Sequence, residues 1–420
     1  MSLLVKNATL ISGKKADVLV EDGKISKIGA SLPASGADKL DATGKLLIPG
    51  FINTHTHVAM SLLRGAAEDM QLHDWLKAVW KYEKKMSPAS VKAGSLLACA
   101  EMLKSGTTCF NDMYFHMGSV AEAAAESGMR ACLGYSMIDN GDEKKRKSEL
   151  SISDSFVREW HGRENGRITC SIAPHSLYTC SKELLVASGD LAKKTGLPLH
   201  IHLSETRKEV FDCLSAHKKR PAYYLDSLGV LFPRTVAAHS VWLTKEEVRL
   251  LSSRKATPSL CPVSNMKLSG GATAPMPEMQ EFGMNISIGT DGSASNNSLS
   301  MFESMKTLGL LQKNTRWDAT VASDSAILDA ATIGGARALG IDSGKIAEGS
   351  LADIALLGLR AANMSPTGSL AGSVVYSAHA GNVTDVIVDG KLVVEDRKLL
   401  TLDEEKIIEE AQKEKETLTG

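Results

Sequence analysis

Apolar and polar residues alternate with period two at both ends of the chain, whereas the middle switches repeatedly between short apolar runs and longer segments of helical periodicity. Near the start, DVLVEDGKISKIG sets Asp22-Gly23 between two alternating runs, and near the end DVIVDGKLVVED does the same with Asp389-Gly390. Asp-Gly in that setting favours a two-residue type I′ turn, whose central positions both need positive φ, so each segment predicts a β-hairpin. The two ends are expected to pair into one small β-domain. Between them lie eight short apolar runs: LLIPGFINTHTH, TTCFNDM, RACLGYSMID, ITCSIAPHS, LPLHIHLSE, TVAAHS, KATPSL and ISIGTDG. Segments such as ASVKAGSLLACAEMLKSG and SKELLVASGDLAKKTG separate them, the second ending on Gly196 as a helix C-cap does. Eight strand-helix units predict an α/β fold built as a (β/α)8 TIM-like barrel, with its active site at the C-terminal ends of the strands. The closing TLDEEKIIEEAQKEKETLTG reads as a helix opened by a Thr401/Glu404 capping box. Charge covers most of its surface, so it is expected to be solvated, as is the charged run at 142–147.

Composition narrows the possible chemistry. With 420 residues, 43% of them hydrophobic, the chain is long enough to bury a large core. A formal net charge of -1 leaves no basic excess to neutralise a phosphate backbone, which argues against nucleic acid as a partner. The seven cysteines are odd in number, scattered and without a CxxC pair, so neither a disulfide framework nor a cysteine zinc site is expected. No stretch approaches the length of a membrane span, and the N-terminus alternates instead of forming an apolar leader. A soluble, unprocessed, cytoplasmic protein is the expectation, with no membrane partner.

Chemistry-bearing side chains collect where a barrel would place its site. His55 and His57 end the first run, His175 the fourth, His202 and Glu205 the fifth, His239 the sixth and Asp291 the eighth. In NTHTH the i, i+2 spacing turns both imidazoles to the same side of a strand, which in a barrel is the interior. A divalent ion such as zinc takes three to five nitrogen or oxygen ligands with one position left for water, and His55, His57, a histidine of the fifth strand and Asp291 supply that set. PLHIHLSET offers two candidates for the third ligand. His200 and His202 share a face, with His200 about 6–7 Å deeper along the strand. The spacing alone does not choose between them.

The pieces GFINTHTH, HLSET, AHSVWL and GTDGSASNN, in this order, resemble the amidohydrolase superfamily, and within it the adenosine-type deaminase branch that acts on methylthioadenosine, S-adenosylhomocysteine and 5′-deoxyadenosine. SNMKLSGG in the seventh unit fits as well, and the likeness runs through nearly the whole chain. It implies a β-sandwich split between the termini: residues 1–49 its first part, 50–345 the hydrolase barrel, and 346–420 the remainder with the terminal helix. It also implies one divalent metal, most commonly Zn2+ with Fe2+ or Mn2+ as alternatives, held by His55, His57, His202 and Asp291. His200 is then left as a packed histidine behind the site. By the same resemblance Asp291 accepts a proton from water, His239 orients the nucleophile and Glu205 donates to the purine N1 as C6 is attacked. His175 is implied to contact the substrate, and Glu83 to bind the ribose hydroxyls, a cis-diol that one carboxylate can receive at both positions. A homo-oligomer is implied too.

Two features refine this picture. The fourth run, ITCSIAPHS, has no lysine, which disfavours the two-metal cyclic-amide hydrolases that bridge their metals with a carboxylated lysine. Where homocysteine-accepting relatives carry an arginine, this chain has Tyr135, with Arg146 as the alternative candidate for that contact. Without a bidentate clamp for a carboxylate, small 5′ groups are expected to be processed at least as well as S-adenosylhomocysteine. The competing readings are a one-metal enzyme acting on guanine, a pterin or a chlorotriazine, and a non-catalytic scaffold. The metal set does not separate the first of these, and Glu83 with His175 tilts the reading towards nucleosides.

Overall fold

The computed structural model describes residues 2–33, 36–70 and 72–419. Five strands open the chain: β1 (Ser2–Leu10), β2 (Lys15–Glu21), β3 (Lys24–Gly29), β4 (Asp38–Asp41) and β5 (Lys45–Pro49). The barrel follows with β6 (Phe51–Thr56), β7 (Thr107–Tyr114), β8 (Arg130–Met137), a fourth strand broken into β9 (Ile168–Cys170) and β10 (Ala173–Pro174), β11 (Leu199–Leu203), β12 (Thr235–His239), β13 (Thr257–Leu260) and β14 (Ser287–Ile288). The chain ends with β15 (Ile354–Gly358), β16 (Val383–Val388), β17 (Lys391–Glu395), β18 (Lys398–Leu399) and a helix over Glu404–Thr419.

Strands from both chain ends merge into one nine-stranded sheet, ordered β18-β17-β16-β15-β5-β1-β2-β3 with β4 on β1. It folds into a sandwich around its own core of Val5, Val18, Val20, Leu47, Ile354, Leu356 and Ile387. Antiparallel pairing of β5 with β15 joins the two ends. Both Asp-Gly hairpins form: Asp22 and Gly23 take φ of 50° and 77°, Asp389 and Gly390 50° and 75°. The apolar run 46–56 is divided between the two sheets. At the crossing point a Cβ on Gly50 would meet the Thr108 side chain at 2.2 Å, so glycine is what lets the chain pass from sandwich to barrel.

The barrel strands run parallel, β6 to β7 to β8 to β9 and β10, and β11 to β12 to β13 to β14. Its halves meet at the parallel Ile172–Leu199 bridge and where the Asp291 N–H donates to the His55 carbonyl. Every residue of β6, β7, β11 and β12 is buried, as expected when a sheet has side chains filling one face and helices covering the other. Helices Pro88–Lys104 and Lys182–Thr195 occupy the two periodic segments, the second capped by Gly196 at φ 69°. The seven cysteines are all free and buried, and no described helix is long and apolar enough to cross a membrane.

The terminal helix departs from expectation. Asp403, not Thr401, caps it by accepting from the Lys406 N–H, while the Thr401 hydroxyl donates to the Ser127 carbonyl. Thr401 lies too far before the first helical residue to cap it once the chain has turned at Asp403. Nor is the helix free in solvent. Ile407, Ala411 and Leu418 are buried, and Glu404 and Glu414 bond Lys104 and Ser90 of the helix Pro88–Lys104. The i, i+4, i+11 apolar positions make a narrow stripe that the surrounding charge conceals in sequence.

Arg130, at the start of β8, fastens barrel to sandwich. Its guanidinium donates to Asp353 at 2.8 and 3.2 Å and to Asp389 at 3.1 Å, with Arg130 and Asp353 only 4% and 2% exposed. Arg130→Met would leave Asp353 buried without its cation. The expected loss is about 3–5 kcal/mol of stability, read as a lowered denaturant midpoint.

Candidate active site

The C-terminal ends of β6, β11, β12 and β14 turn their polar side chains into one pocket. His57, Glu83, His175, His202, Glu205, His239 and Asp291 line it, and His55 sits fully buried at its base. His55 and His57 project from the end of β6 on the same side, with ring centroids 4.9 Å apart. His202 leaves the last turn of β11 and stacks on His239, the last residue of β12, at 5.3 Å. Asp291 follows β14. The segments carrying these residues leave their strands through left-handed backbone: Ser204, His239 and Asp291 have φ of 50°, 68° and 63°. Such non-glycine conformations cost roughly 1–3 kcal/mol each and persist where the surroundings over-determine them.

Hydrogen bonds behind the rings decide which nitrogen faces the centre. Nδ1 of His57 donates to the Met113 carbonyl at 2.8 Å, Nδ1 of His202 to the His175 carbonyl at 2.8 Å, and Nδ1 of His239 to Asn265 Oδ1 at 2.9 Å. With the proton on Nδ1, each Nε2 presents a lone pair inward. His55 Nδ1 shares a 2.8 Å hydrogen bond with His200 Nε2, so His200 lies beneath the cluster, as its depth on the strand anticipates. Asp291 is held in the same way. Its Oδ2 accepts from Ser264 and Ser295 at 2.6 and 2.8 Å, and its Oδ1 accepts from the Gly292 N–H at 2.8 Å while standing 3.4 Å from His57 Nε2 and 3.6 Å from His55 Nε2.

This cluster fits a metal. Among the described residues His55 Nε2 is buried without a hydrogen-bond partner, an expensive state that a coordinated cation removes. Ligand atoms of His55, His57 and His202 lie within 4.8 Å of one another, as do those of His55, His239 and Asp291. Three or four imidazoles and a carboxylate converging on a point is the donor set of a catalytic zinc-type site. Burial pushes His55 down to about 3 and His202 well below its usual range, so both stay neutral and available as ligands. Burial alone would raise Asp291, but the imidazoles of His55 and His57 hold it well below the ordinary carboxylate range.

Two further carboxylates have distinct settings. Glu205 stands 3.9 Å from His239 Nε2, and burial raises its pKa, so it keeps a proton nearer neutrality than an exposed glutamate does. Burial pulls His239 down, yet Glu205 and Asp291 more than offset it. Glu83 closes the helix Leu72–Glu83, lines the pocket and accepts a 2.6 Å bond from the Tyr114 hydroxyl at Oε1. The same helix presents Leu72, Trp75, Leu76, Val79 and Trp80 to the pocket, so both tryptophans form pocket wall.

Neither candidate for a carboxylate clamp reaches this pocket. Arg146 is drawn to buried Asp139 at 3.5 Å and to Glu183 at 3.7 Å, and donates to Ser181. Tyr135 points to the other side of β8, where its hydroxyl bonds Glu149, while its neighbour Ser136 lines the pocket. Strand alternation accounts for this, because odd and even residues of β8 face opposite ways. Ser264, Asn265, Ser295 and Tyr114, which orient the groups above, were missed by sequence reasoning. Three of them lie within the quoted SNMKLSGG and GTDGSASNN, so the signal was present without a role attached.

The Amidohydrolase family signature matches residues 46–393. The chain belongs to the amidohydrolase family. Among curated relatives, it is 46% identical over 415 residues to a 5′-deoxyadenosine deaminase of Methanosphaera stadtmanae, covering 98% of this chain and 97% of that protein. It is 42% identical to a protein of the same name from Methanocaldococcus jannaschii, covering 99% of each. A zinc-bound crystal structure of an adenosine deaminase from Xanthomonas campestris superimposes with a TM-score of 0.93 at 32% identity, over 99% of this chain and 98% of that one. An atrazine chlorohydrolase from Arthrobacter aurescens, also zinc-bound, shares the fold at a TM-score of 0.92 and 22% identity, over 98% of this chain and all of that one.

Proposed function

We propose that this chain is a one-metal deaminase that replaces the C6 amino group of adenine nucleosides with oxygen, releasing ammonia and the inosine analogue, with 5′-deoxyadenosine a preferred substrate. One observation carries the reading: a single pocket is lined by the histidine-aspartate cluster, by Glu205 and by Glu83. A base with its reacting edge at Glu205 then directs its ribose towards Glu83. The relatives named 5′-deoxyadenosine deaminase, at over 40% identity along almost the whole chain, support it.

His55, His57, His202 and Asp291 would hold the ion, for which this nitrogen and oxygen donor set suits Zn2+. When bound, it supplies a Lewis acid that brings the pKa of a coordinated water towards neutrality. The side chains do the rest. Asp291 accepts the water's proton at Oδ1, its other oxygen already engaged by Ser264 and Ser295. His239, with Asn265 on Nδ1, uses Nε2 to orient the attacking oxygen. Glu205 delivers a proton to N1 as C6 becomes tetrahedral; Asp291 then passes the proton it took from water to the amino nitrogen, and as ammonia leaves the C6 hydroxyl proton returns to Glu205, restoring both carboxyls.

No lysine or arginine is among the described lining residues, so a zwitterionic 5′ substituent finds no partner there for its carboxylate, whereas a methyl group needs none. Methylthioadenosine and adenosine are therefore expected as substrates, and S-adenosylhomocysteine as a poorer one. Following ammonia release with 5′-deoxyadenosine, methylthioadenosine, S-adenosylhomocysteine, adenosine, adenine and guanine tests this directly. Turnover restricted to guanine, or S-adenosylhomocysteine far ahead of the rest, would contradict it. Glu83→Gln is expected to lower kcat/KM for ribonucleosides by about 10–100-fold, a loss of roughly 1.4–2.8 kcal/mol for a charged hydrogen-bond acceptor. A 2′,3′-dideoxy analogue should show no such loss, and equal losses on both would remove Glu83 from the sugar site.

A further inference from the structure

Glu209 lies in the first turn of the helix Arg207–His217 and is 5% exposed. That helix already has its cap: the Thr206 side chain accepts from the Glu209 N–H at 3.1 Å. A glutamate at this position ordinarily turns back to the N–H of the cap residue itself. Here it reaches further. Oε1 accepts from the Ser204 N–H and Oε2 from the Glu205 N–H, each at 2.8 Å. The other side of the same backbone is held as well, since the Ser204 carbonyl accepts from Val241 and Trp242, in the loop that follows His239. Ser204 is the left-handed residue that swings the chain from β11 so that Glu205 faces the pocket.

We propose that Glu209 is a positioning residue for Glu205, gripping two consecutive backbone N–H groups with one carboxylate and so fixing the turn from which Glu205 reaches the substrate. The proposal rests on the reading of Glu205 as proton donor. A carboxylate is suited to the task because in its ionised form both oxygens accept and neither donates; burial pushes Glu209 up to about 7, and the two N–H groups it grips, with the helix N-terminus, oppose that rise. Glutamine keeps the shape but not the chemistry, for its NH2 must face one of the two N–H groups.

Glu209→Gln, assayed as the metal-loaded enzyme, is expected to lose about 10²-fold in kcat, the scale of a misplaced reacting group, with KM and bound metal unchanged. In a Glu205→Gln background the same change should cost nothing more, because the group it aims is already gone. Thr206→Ala weakens the same helix through its cap and should lower thermal stability while leaving kcat intact, which separates positioning from general loosening. Full activity of Glu209→Gln, a loss that multiplies with that of Glu205→Gln, loss confined to KM or to metal content, or a Thr206→Ala enzyme equally slow would each overturn the proposal. Should Glu205→Gln itself remain active, the reading of Glu205 fails first, and that single variant reveals it.

Discussion

Glu205→Gln lowers kcat by about 10³-fold, within the 10²–10⁴ range that a positioned proton donor contributes, while the metal content and the fold are retained. The amide fills the same space and keeps hydrogen-bonding ability, but cannot pass a proton to N1 or take one up from the C6 hydroxyl as the carbonyl forms. The ground-state complex is built by the pocket walls and Glu83, so KM should change little, the signature of an interaction made in the transition state alone. The geometry supports the magnitude. Glu205 is buried beside the cluster, 3.9 Å from His239, and burial raises its pKa, so the protonated form needed for donation is populated further towards neutral pH than in an exposed glutamate. Stopped-flow or steady-state kinetics with a metal assay on the same sample is the check. A variant with near-normal kcat would transfer the proton to another group, and a variant that loses its metal would turn Glu205 into a ligand.

The two histidines of β11 are expected to separate sharply when metal binding is measured. His202→Ala removes a proposed ligand and should abolish stoichiometric metal and, with it, activity. His200→Ala removes only the partner of His55 Nδ1, and outer partners of this kind are worth about 10–100-fold in affinity, so metal should bind more weakly and activity should return when the ion is in excess. Treating the unaltered protein with a chelator should reproduce the His202→Ala loss and be reversed by Zn2+. It should also lower thermal stability, because an ion held at 100 times its Kd contributes about 2.7 kcal/mol to the folded state. Equal behaviour of the two variants would contradict the assignment of depth on this strand.

Period-two alternation and Asp-Gly pairs made the terminal β-structure legible, and eight apolar runs punctuated by helical periodicity made the barrel legible. Both signals come from burial, which sequence records residue by residue. The cluster was legible because strand parity and strand ends are one-dimensional properties: His55 and His57 share a face, and Asp291 closes the eighth run. What did not show was the partner of each group. Asn265 reaches His239 and Tyr114 reaches Glu83 across neighbouring strands and helices, contacts between residues far apart in sequence that no periodicity encodes. Arg146 was offered as a substitute for the arginine that Tyr135 replaces, but it stands on the helix Glu143–Trp160, where buried Asp139 provides a nearer and lower-dielectric partner. The terminal helix was read as solvated because four apolar residues among so many charges leave a weak stripe, yet three of them, Ile407, Ala411 and Leu418, dock while Ile408 stays exposed.

The most direct test of the central claim is to add one equivalent of Zn2+ to metal-free protein in the presence of 5′-deoxyadenosine and to follow the adenine-to-hypoxanthine absorbance change together with ammonia. The account predicts no turnover before the ion is added, and afterwards 5′-deoxyinosine and ammonia in equal amounts. Turnover without metal, or a metal-loaded protein that leaves every adenine nucleoside unchanged, would contradict it.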